Sequence, residues 1–239
     1  MPQLKSGANI AVPHEIERYL SEAIRFSPRP SPTSSEHPIR VASTLLTCGT
    51  AMAVLNDLRM PAEPESAYCH INVHNPRCPL FFDTREGHWS CVPGFEDHPA
   101  WGFNWAGATL VCEHLGGRLP TEQEWLCFAS NNDLARVYPW GEAEPTHLLA
   151  NFGEHIGGTS SVDSFPPSDI GLYDVAGNLS EWCADNFEAP GIPPGKSVER
   201  VVKGGAWSKD ARYLQIAARR GKWERLGTTT IGFRPVWDD

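Results

Sequence analysis

The sequence predicts an α+β domain in which long loops outweigh regular secondary structure, and three observations support this class. The 239 residues include 21 glycines and 21 prolines, which is above average usage, and these residues favour turns. Aromatic residues make up 10% of the chain, with nine tryptophans, which argues against disorder and predicts an aromatic core. Only a few segments have the apolar spacing of helices, and short apolar runs that predict strands lie between them.

The N-terminal part of the chain predicts one helix and one irregular stretch. Residues 13–25 begin with a proline and place apolar side chains at helical spacing, which predicts a short amphipathic helix. Residues 27–38 are rich in proline and serine, which predicts a linker or an exposed loop. We therefore divide the chain into an N-terminal helix with its linker, residues 1–36, and a folded domain, residues 37–239.

The folded domain is predicted to contain three helices and several short strands. The helix over residues 105–115 ends at two glycines, and the next helix begins with a capping box made by Thr121 and Glu124. A further helix is predicted over residues 49–59. Strands, two of them around a turn at HNPR, are predicted at residues 39–48, 67–73, 78–83, 200–207 and 231–237.

Charge and composition exclude several classes of function. The net charge is −9 at pH 7, and nucleic acid and anionic membranes repel such a chain, so neither is an expected partner. We find no apolar signal segment at the N-terminus and no stretch near the ~20 apolar residues of a membrane span. The seven cysteines are an odd number, and without an export signal we expect reduced thiols and a cytoplasmic location.

Five motifs carry a resemblance to a known family: GGRLPTEQEW (116–125), YPWGE (138–142), the segment 150–182 with YDVAGNLSEW at its end, RVVKGGAW (200–207) and IGFRP (231–235). In this order they resemble the formylglycine-generating enzyme superfamily, which also includes the pyoverdine-maturation oxidase and the C-terminal domain of ergothioneine-type synthases. The resemblance implies a variant of the C-type-lectin-like fold with small antiparallel sheets. It also implies a buried framework of aromatic and guanidinium groups: Arg118, Trp125, Trp140, Trp182 and Arg234.

The resemblance implies structural calcium. The ligands would be the Asp174 side chain, the carbonyls of Gly177 and Leu179, and Glu181, and oxygen donors of this kind suit Ca²⁺. The alternative is a hydrogen-bonded turn in which Glu181 pairs with an arginine. A second calcium would use Asn151 and the Phe152 carbonyl, but its other ligands fall in a loop that is shortened here to GEHIGG.

In the family, two cysteines that follow a GGSW-like motif hold the catalytic copper. Soft thiolates of this kind select Cu(I). Residues 204–220 here contain no cysteine and have Ala206 in place of the family serine. We therefore do not expect oxidation of cysteine to formylglycine, and the pyoverdine-maturation type shares this lack. Ergothioneine-type synthases hold iron on three histidines of an N-terminal bundle that residues 1–36 do not supply, so a partner chain would have to provide that metal.

The segment after GGAW lines the family's active pocket. Trp207, Ser208 and Arg212 are the candidate substrate-binding residues. Lys209, Asp210 and Tyr213 are the candidate acid–base groups, provided that burial shifts their pKa values. The alternative is a solvated hydrophilic turn.

Three functions compete at this point. The first is a tailoring enzyme that carries out an oxidative or related step on a small metabolite or peptide. The second is a non-catalytic, lectin-like module that binds a ligand or a partner, because the fold supplies a shaped loop surface without any catalyst. The third is one half of a split non-haem iron enzyme.

Overall fold

The computed structural model describes residues 13–28, 37–62, 69–188, 191 and 197–239. Residues 1–12 and most of the predicted linker lie outside the described residues. The helices within them are α1 (His14–Ser21), α2 (Cys48–Asp57), α3 (Trp105–His114) and α4 (Glu122–Ser130). The strands are β1 (Ile24–Phe26), β2 (Ile39–Val41), β3 (Leu80–Asp83), β4 (His88–Cys91), β5 (Ser180–Asn186), β6 (Glu199–Lys203), β7 (Arg220–Trp223), β8 (Ile231–Gly232) and β9 (Val236–Asp238).

The predicted helices form, although the one expected over residues 13–25 ends at Ser21 and is followed by β1 at Ile24. Local capping explains where two of the helices begin. Thr121 Oγ1 accepts a hydrogen bond from Glu124 N at 3.1 Å, and Glu124 Oε2 accepts one from Thr121 N at 2.8 Å, so the predicted capping box is confirmed. α3 begins after Asn104, whose side chain accepts from Gly107 N at 2.7 Å. It ends before Gly116, whose φ of +73° lies in the left-handed region that favours glycine.

Three small sheets connect distant parts of the chain. β1, β2 and β9 form one antiparallel sheet, β3 and β4 form a hairpin, and a third sheet has the order β7-β6-β5-β8 with β5 and β8 parallel. The third sheet places the end of the YDVAGNLSEW motif beside both the GGAW segment and the FRP segment. No helix in the described ranges is long and apolar enough to span a bilayer.

Some predicted strands were wrong. The described residues of the 67–73 segment contribute an isolated bridge, between Ile71 and Phe103, while β3 pairs with β4 across the TREG turn. That turn is favoured because Gly87, with a φ of +72°, closes it. The predicted strand over residues 39–48 ends at Val41. β1, β4, β5 and β7 lie outside the predicted strands. β5 buries polar residues and β7 carries two cations, so neither has the apolar pattern of a strand.

Large aromatic side chains fill the core, as predicted. The fully buried tryptophans are Trp89, Trp125, Trp182 and Trp237. The described N-terminal elements pack on the same core: Tyr19 of α1 is buried and donates to the Thr44 carbonyl at 3.1 Å, and Phe26 of β1 is buried. The molecule is thus an α+β domain with short elements and small sheets, which is the predicted class.

Candidate functional site

The centre of the molecule is a fully buried ion pair between Arg234 and Glu181. Arg234 Nη2 lies 2.8 Å and Nε 3.1 Å from Glu181 Oε1, and Glu181 Oε2 accepts from Trp125 Nε1 at 3.0 Å. The remaining Arg234 donors reach the carbonyls of residues 42, 43 and 173 at 2.7 to 2.9 Å. Because every contact joins segments far apart in sequence, this pair holds the loops together.

The other predicted framework residues divide into two groups. Trp125 and Trp182 are fully buried, as predicted. Arg118 is partly exposed and binds Glu124 through two contacts of 2.7 Å, so it connects a loop to α4 rather than filling the core. Trp140 is a correction: it is half-buried, and it stacks on Tyr138 at 5.3 Å near the surface.

Glu181, predicted as a calcium ligand, is bound by Arg234 and Trp125. This is the arginine pairing that the sequence left open as the alternative. Its carboxylate is fully buried and its charge is compensated within the protein. The other predicted ligands of this site, Asp174, Gly177 and Leu179, lie on the turn that leads into β5.

Asp174 and Asn151, predicted for two different calcium sites, belong to one buried polar network. Asn178 N donates to the Asn151 carbonyl at 2.9 Å, and Asn178 Nδ2 donates to Asp174 Oδ2 at 3.1 Å. A Cβ at Gly177, where φ is +89°, would lie 2.7 Å from the Asn151 carbonyl, so this turn requires glycine. The two segments therefore approach closely, and Phe152 follows directly and is buried.

Two oxygen atoms of this network lack a hydrogen-bond partner among the described residues: Asp174 Oδ1 and Asn151 Oδ1. Burial raises the pKa of Asp174 to about 7, despite the Asn178 hydrogen bond and the Arg234 charge, which both lower it. Buried acceptors without partners are rare because they cost free energy. Oxygen atoms left in this way are donors that a hard cation could use.

The GGAW segment is fixed by backbone contacts to two neighbouring loops. Gly204 and Gly205 have φ of +86° and +74°, and a Cβ at Gly204 would lie 2.6 Å from the carbonyl of residue 175. Trp207 N donates to the Asn178 carbonyl at 2.9 Å, while Glu154 N donates to the Trp207 carbonyl at 2.7 Å. Trp207 Nε1 also donates to the carbonyl of residue 229 at 3.1 Å. The segment is therefore an ordered part of the domain surface.

The six residues predicted in this segment lie in two environments. Asp210 and Arg212 are exposed and pair with each other at 3.3 Å, so they resemble the solvated turn that was the alternative. The half-buried members are Trp207, Ser208, Lys209 and Tyr213. Tyr213 contacts two arginines, the predicted Arg212 and Arg220, which was not predicted. Their guanidinium carbons lie 4.9 and 5.0 Å from the centroid of the Tyr213 ring.

Sequence reasoning missed Arg220, Lys222 and Ser180. Arg220 Nη2 donates to Ser180 Oγ at 2.8 Å, and Ser180 Oγ donates to the Gly205 carbonyl at 2.7 Å. Burial lowers the pKa of Arg220. The pKa of Lys222 is also lowered, mainly by burial and to a smaller extent by the charges of Arg220 and Lys209. The signal was the run RRGK at residues 219–222: positions two apart on a strand share a face, so Arg220 and Lys222 project together.

A cavity of about 570 Å³ lies on another part of the molecule, between α1 and two loops. Its charged lining residues are mostly acidic: Glu15, Glu22, Glu96, Asp97 and Asp163, with Arg18 as the basic exception. Within the described ranges no group of three or more histidine, cysteine or carboxylate side chains is placed to hold a metal ion. Within the described ranges, no disulfide bond forms at Cys48, Cys78, Cys91, Cys112, Cys127 or Cys183.

Comparison with known proteins relates this geometry to a family. The sequence model described as "Sulfatase-modifying factor enzyme 1-like domain" matches residues 70–239. The chain is 38% identical over 161 residues to the serine/threonine-protein kinase pkn1 of Chlamydia pneumoniae, covering 63% of this chain and 26% of that protein. It is 33% identical over 179 residues to the formylglycine-generating enzyme of Bos taurus, covering 64% of this chain and 47% of that enzyme. The chain thus spans less than half the length of these relatives.

Two solved structures show the same fold. The structure of PvdO from Pseudomonas aeruginosa has a TM-score of 0.65 at 19% identity, covering 91% of this chain and 92% of that one. Treponema denticola variable protein 1 has a TM-score of 0.65 at 18% identity, covering 91% and 95%. At these identities the likeness concerns the fold alone.

Proposed function

We propose that this chain, which belongs to the sulfatase-modifying factor enzyme 1-like family, is a tailoring enzyme. It would carry out an oxidative or related step on a small metabolite or peptide. Its fold is the C-type-lectin-like fold of the formylglycine-generating enzyme superfamily. The substrate would bind on the face formed by the GGAW segment and β7.

One observation carries this proposal: an ordered, half-buried set of polar and aromatic groups meets on that face. Backbone hydrogen bonds fix Trp207 and Lys209 to the loop at residues 153–154, and Tyr213 packs beneath Arg220. Lys209 and Tyr213 can each give or take a proton, and Trp207 offers an aromatic edge for packing. Asp210 is a weaker candidate for acid–base work because it is exposed.

We propose that this activity does not use the copper chemistry of formylglycine-generating enzymes. The two thiolates that would hold copper are absent from residues 204–220, so the residues present do not fit that metal. A redox metal from another chain would make this protein one half of a split enzyme.

We propose that calcium stabilises the network beneath this face. Asp174, through its free Oδ1, and the carbonyls of Gly177 and Leu179 would hold the ion, and Asn151 with the Phe152 carbonyl would hold a second. The two oxygen atoms without partners support this assignment. Glu181 is the ligand that fits least, because Arg234 and Trp125 already bind its carboxylate. Calcium would compensate the Asp174 charge and fix the turn that carries Asn178, which in turn binds Trp207 N.

A second candidate is a non-catalytic binding module, favoured by the exposure of Asp210 and Arg212. Mass spectrometry separates the two functions. The purified protein, with Ca²⁺ and oxygen, is incubated with a small-molecule extract of its source cells, and the extract is compared with one treated with a Lys209→Met, Tyr213→Phe double variant. An enzyme consumes one mass and forms another with the wild type only. A compound retained by the protein with unchanged mass, and no new product, would instead support the binding module.

A further inference from the structure

We propose that the molecule bound at the GGAW face carries a carboxylate or a phosphate group, and that Arg220 is the residue that recognises it, with Lys222 and Lys209 beside it. This inference rests on the proposed function, because it assigns a substrate class to the same face. It would hold equally for the binding-module alternative.

Arg220 presents an oriented guanidinium with donors to spare. Within the described residues its side chain makes one hydrogen bond, to Ser180 Oγ at 2.8 Å, and lies 5.0 Å from the Tyr213 ring. Ser180 is itself held by its donation to the Gly205 carbonyl at 2.7 Å. A guanidinium has five N–H donors in a planar fork that matches both oxygens of a carboxylate or phosphate. The chain therefore positions the fork and leaves most of it for another acceptor.

Arg220, Lys222 and Lys209 also form no ion pair within the described residues, although the more distant Glu199 charge favours the cation at Lys222. Among the described residues, no carboxylate oxygen lies within 4.0 Å of any of their side-chain nitrogens, whereas the partly buried Arg40, Arg118, Arg136 and Arg200 each have one. Arg219, the neighbour of Arg220, binds Glu122 at 2.8 Å, and Arg200 binds Glu224 at 3.0 Å. In a chain with a net charge of −9, three neighbouring cations with no carboxylate partner in the part of the chain that the structure describes are an exception.

Desolvating a cation without a counter-charge costs free energy. Burial acts against the charged forms of Arg220 and Lys222, and the Arg220 and Lys209 charges add to this effect at Lys222. An anionic ligand would remove the repulsion among the three cations and fill the unused donors. Charge-assisted hydrogen bonds of this kind are roughly twice as strong as neutral ones.

The test is binding of two probes, inorganic phosphate and succinate, to the full chain, measured by calorimetry at low ionic strength. We compare the wild type with Arg220→Gln, with Lys222→Gln and with Arg85→Gln, which removes the same charge from the exposed turn between β3 and β4. For the preferred probe we expect saturable binding to the wild type and to Arg85→Gln, and a weakening on the order of tenfold in Arg220→Gln. The weakening in Lys222→Gln should be smaller, because it contributes one ammonium and no fork. The stronger of the two probes identifies the anion as a phosphate or a carboxylate.

Equal affinity in Arg220→Gln and the wild type, an equal loss in Arg85→Gln, or no saturable binding of either probe would overturn the proposal. A melting curve for each variant separates loss of binding from loss of folding. This result is independent of turnover. An enzyme with a neutral substrate would fail here and still form a product in the mass assay, while an anion-binding module would pass here and form none.

Discussion

Arg234 and Arg220 are both held on the four-stranded sheet region, yet their surroundings differ in every respect that matters for function. Arg234 is fully buried, pairs with Glu181 and donates to three backbone carbonyls. Arg220 is half-buried, donates to one hydroxyl and has no carboxylate within 4.0 Å among the described residues. The first guanidinium has all its partners inside the protein, and the second does not.

A structural arginine and a candidate binding arginine in this loop-rich fold differ in whether the chain itself supplies their partners. A buried guanidinium can be stable only if its charge and its donors are satisfied within the chain. Arg234 meets that condition, so its role is to hold the loops. Arg220 is desolvated although the chain does not satisfy its charge or most of its donors. This is what is expected of an arginine that binds a ligand.

The largest predicted effect comes from making the same substitution at both positions. Arg234→Gln leaves the Glu181 carboxylate buried without its counter-charge and removes donors from three carbonyls, so the free energy of unfolding should fall by about 3–5 kcal/mol. Arg220→Gln loses one hydrogen bond to a hydroxyl and should cost about 1 kcal/mol or less. Urea denaturation of both variants measures the difference. Equal losses would show that Arg220 belongs to the framework, and the comparison would fail.

Lys203 is intermediate between Arg234 and Arg220 in how far the chain satisfies its cation. Its side chain is buried, its Nζ donates to the Ile216 carbonyl at 2.8 Å and lies 5.2 Å from the Trp125 ring, and the Glu122 carboxylate is 4.0 Å away. Burial lowers the pKa of Lys203 from its ordinary 10.5 to about 8. The ammonium thus makes one hydrogen bond and is only weakly compensated in charge.

This pKa predicts a pH dependence of stability. Between pH 8 and 10.5 the unfolded chain keeps the Lys203 proton while the folded chain has lost it, so stability rises with pH in this window, and the cost of the buried charge is fully present below pH 8. Relative to Lys203→Met, the wild type should gain about 2–3 kcal/mol between pH 7 and 10. Denaturation midpoints at several pH values measure this, with Lys209→Met as the control for loss of a lysine. A constant difference between wild type and Lys203→Met would show that Lys203 is not desolvated.

The features that the sequence predicted well are those set by short-range interactions. The capping box of Thr121 and Glu124 involves residues three apart, and the end of α3 depends on Gly116 alone. Both can be read without knowing the rest of the fold. The framework role of Arg234 came from a family motif, which already contains the long-range information.

The features that were missed depend on contacts between distant segments. β5 places Glu181 in the core, which no local pattern predicts, because the charge that permits it belongs to Arg234. The Arg220 and Lys222 side chains share a face only because β7 pairs with β6, where Arg220 lies opposite Val202. Of the two strands expected around HNPR, the one at 78–83 forms as β3 but pairs with β4 across TREG, while Ile71 of the other forms a bridge to the distant Phe103.

The smallest predicted effect concerns Asp174, the anionic counterpart of Arg220: it too is desolvated without a full set of partners, since its Oδ1 is free. If calcium is the missing partner, added Ca²⁺ should stabilise the wild type by about 2 kcal/mol at roughly a thirtyfold excess over the dissociation constant. Asp174→Asn should abolish that response while folding normally, because asparagine tolerates the φ of +52° at this position and keeps an oxygen for Asn178. Melting temperatures with Ca²⁺ or with a chelator measure the effect, and Glu86→Gln in the exposed TREG turn is the control for loss of a carboxylate.

Without calcium, Asp174→Asn should be at least as stable as the wild type, since it removes a buried charge. An undiminished calcium response in Asp174→Asn would place any calcium elsewhere and leave Asp174 as a buried acid without a bound cation.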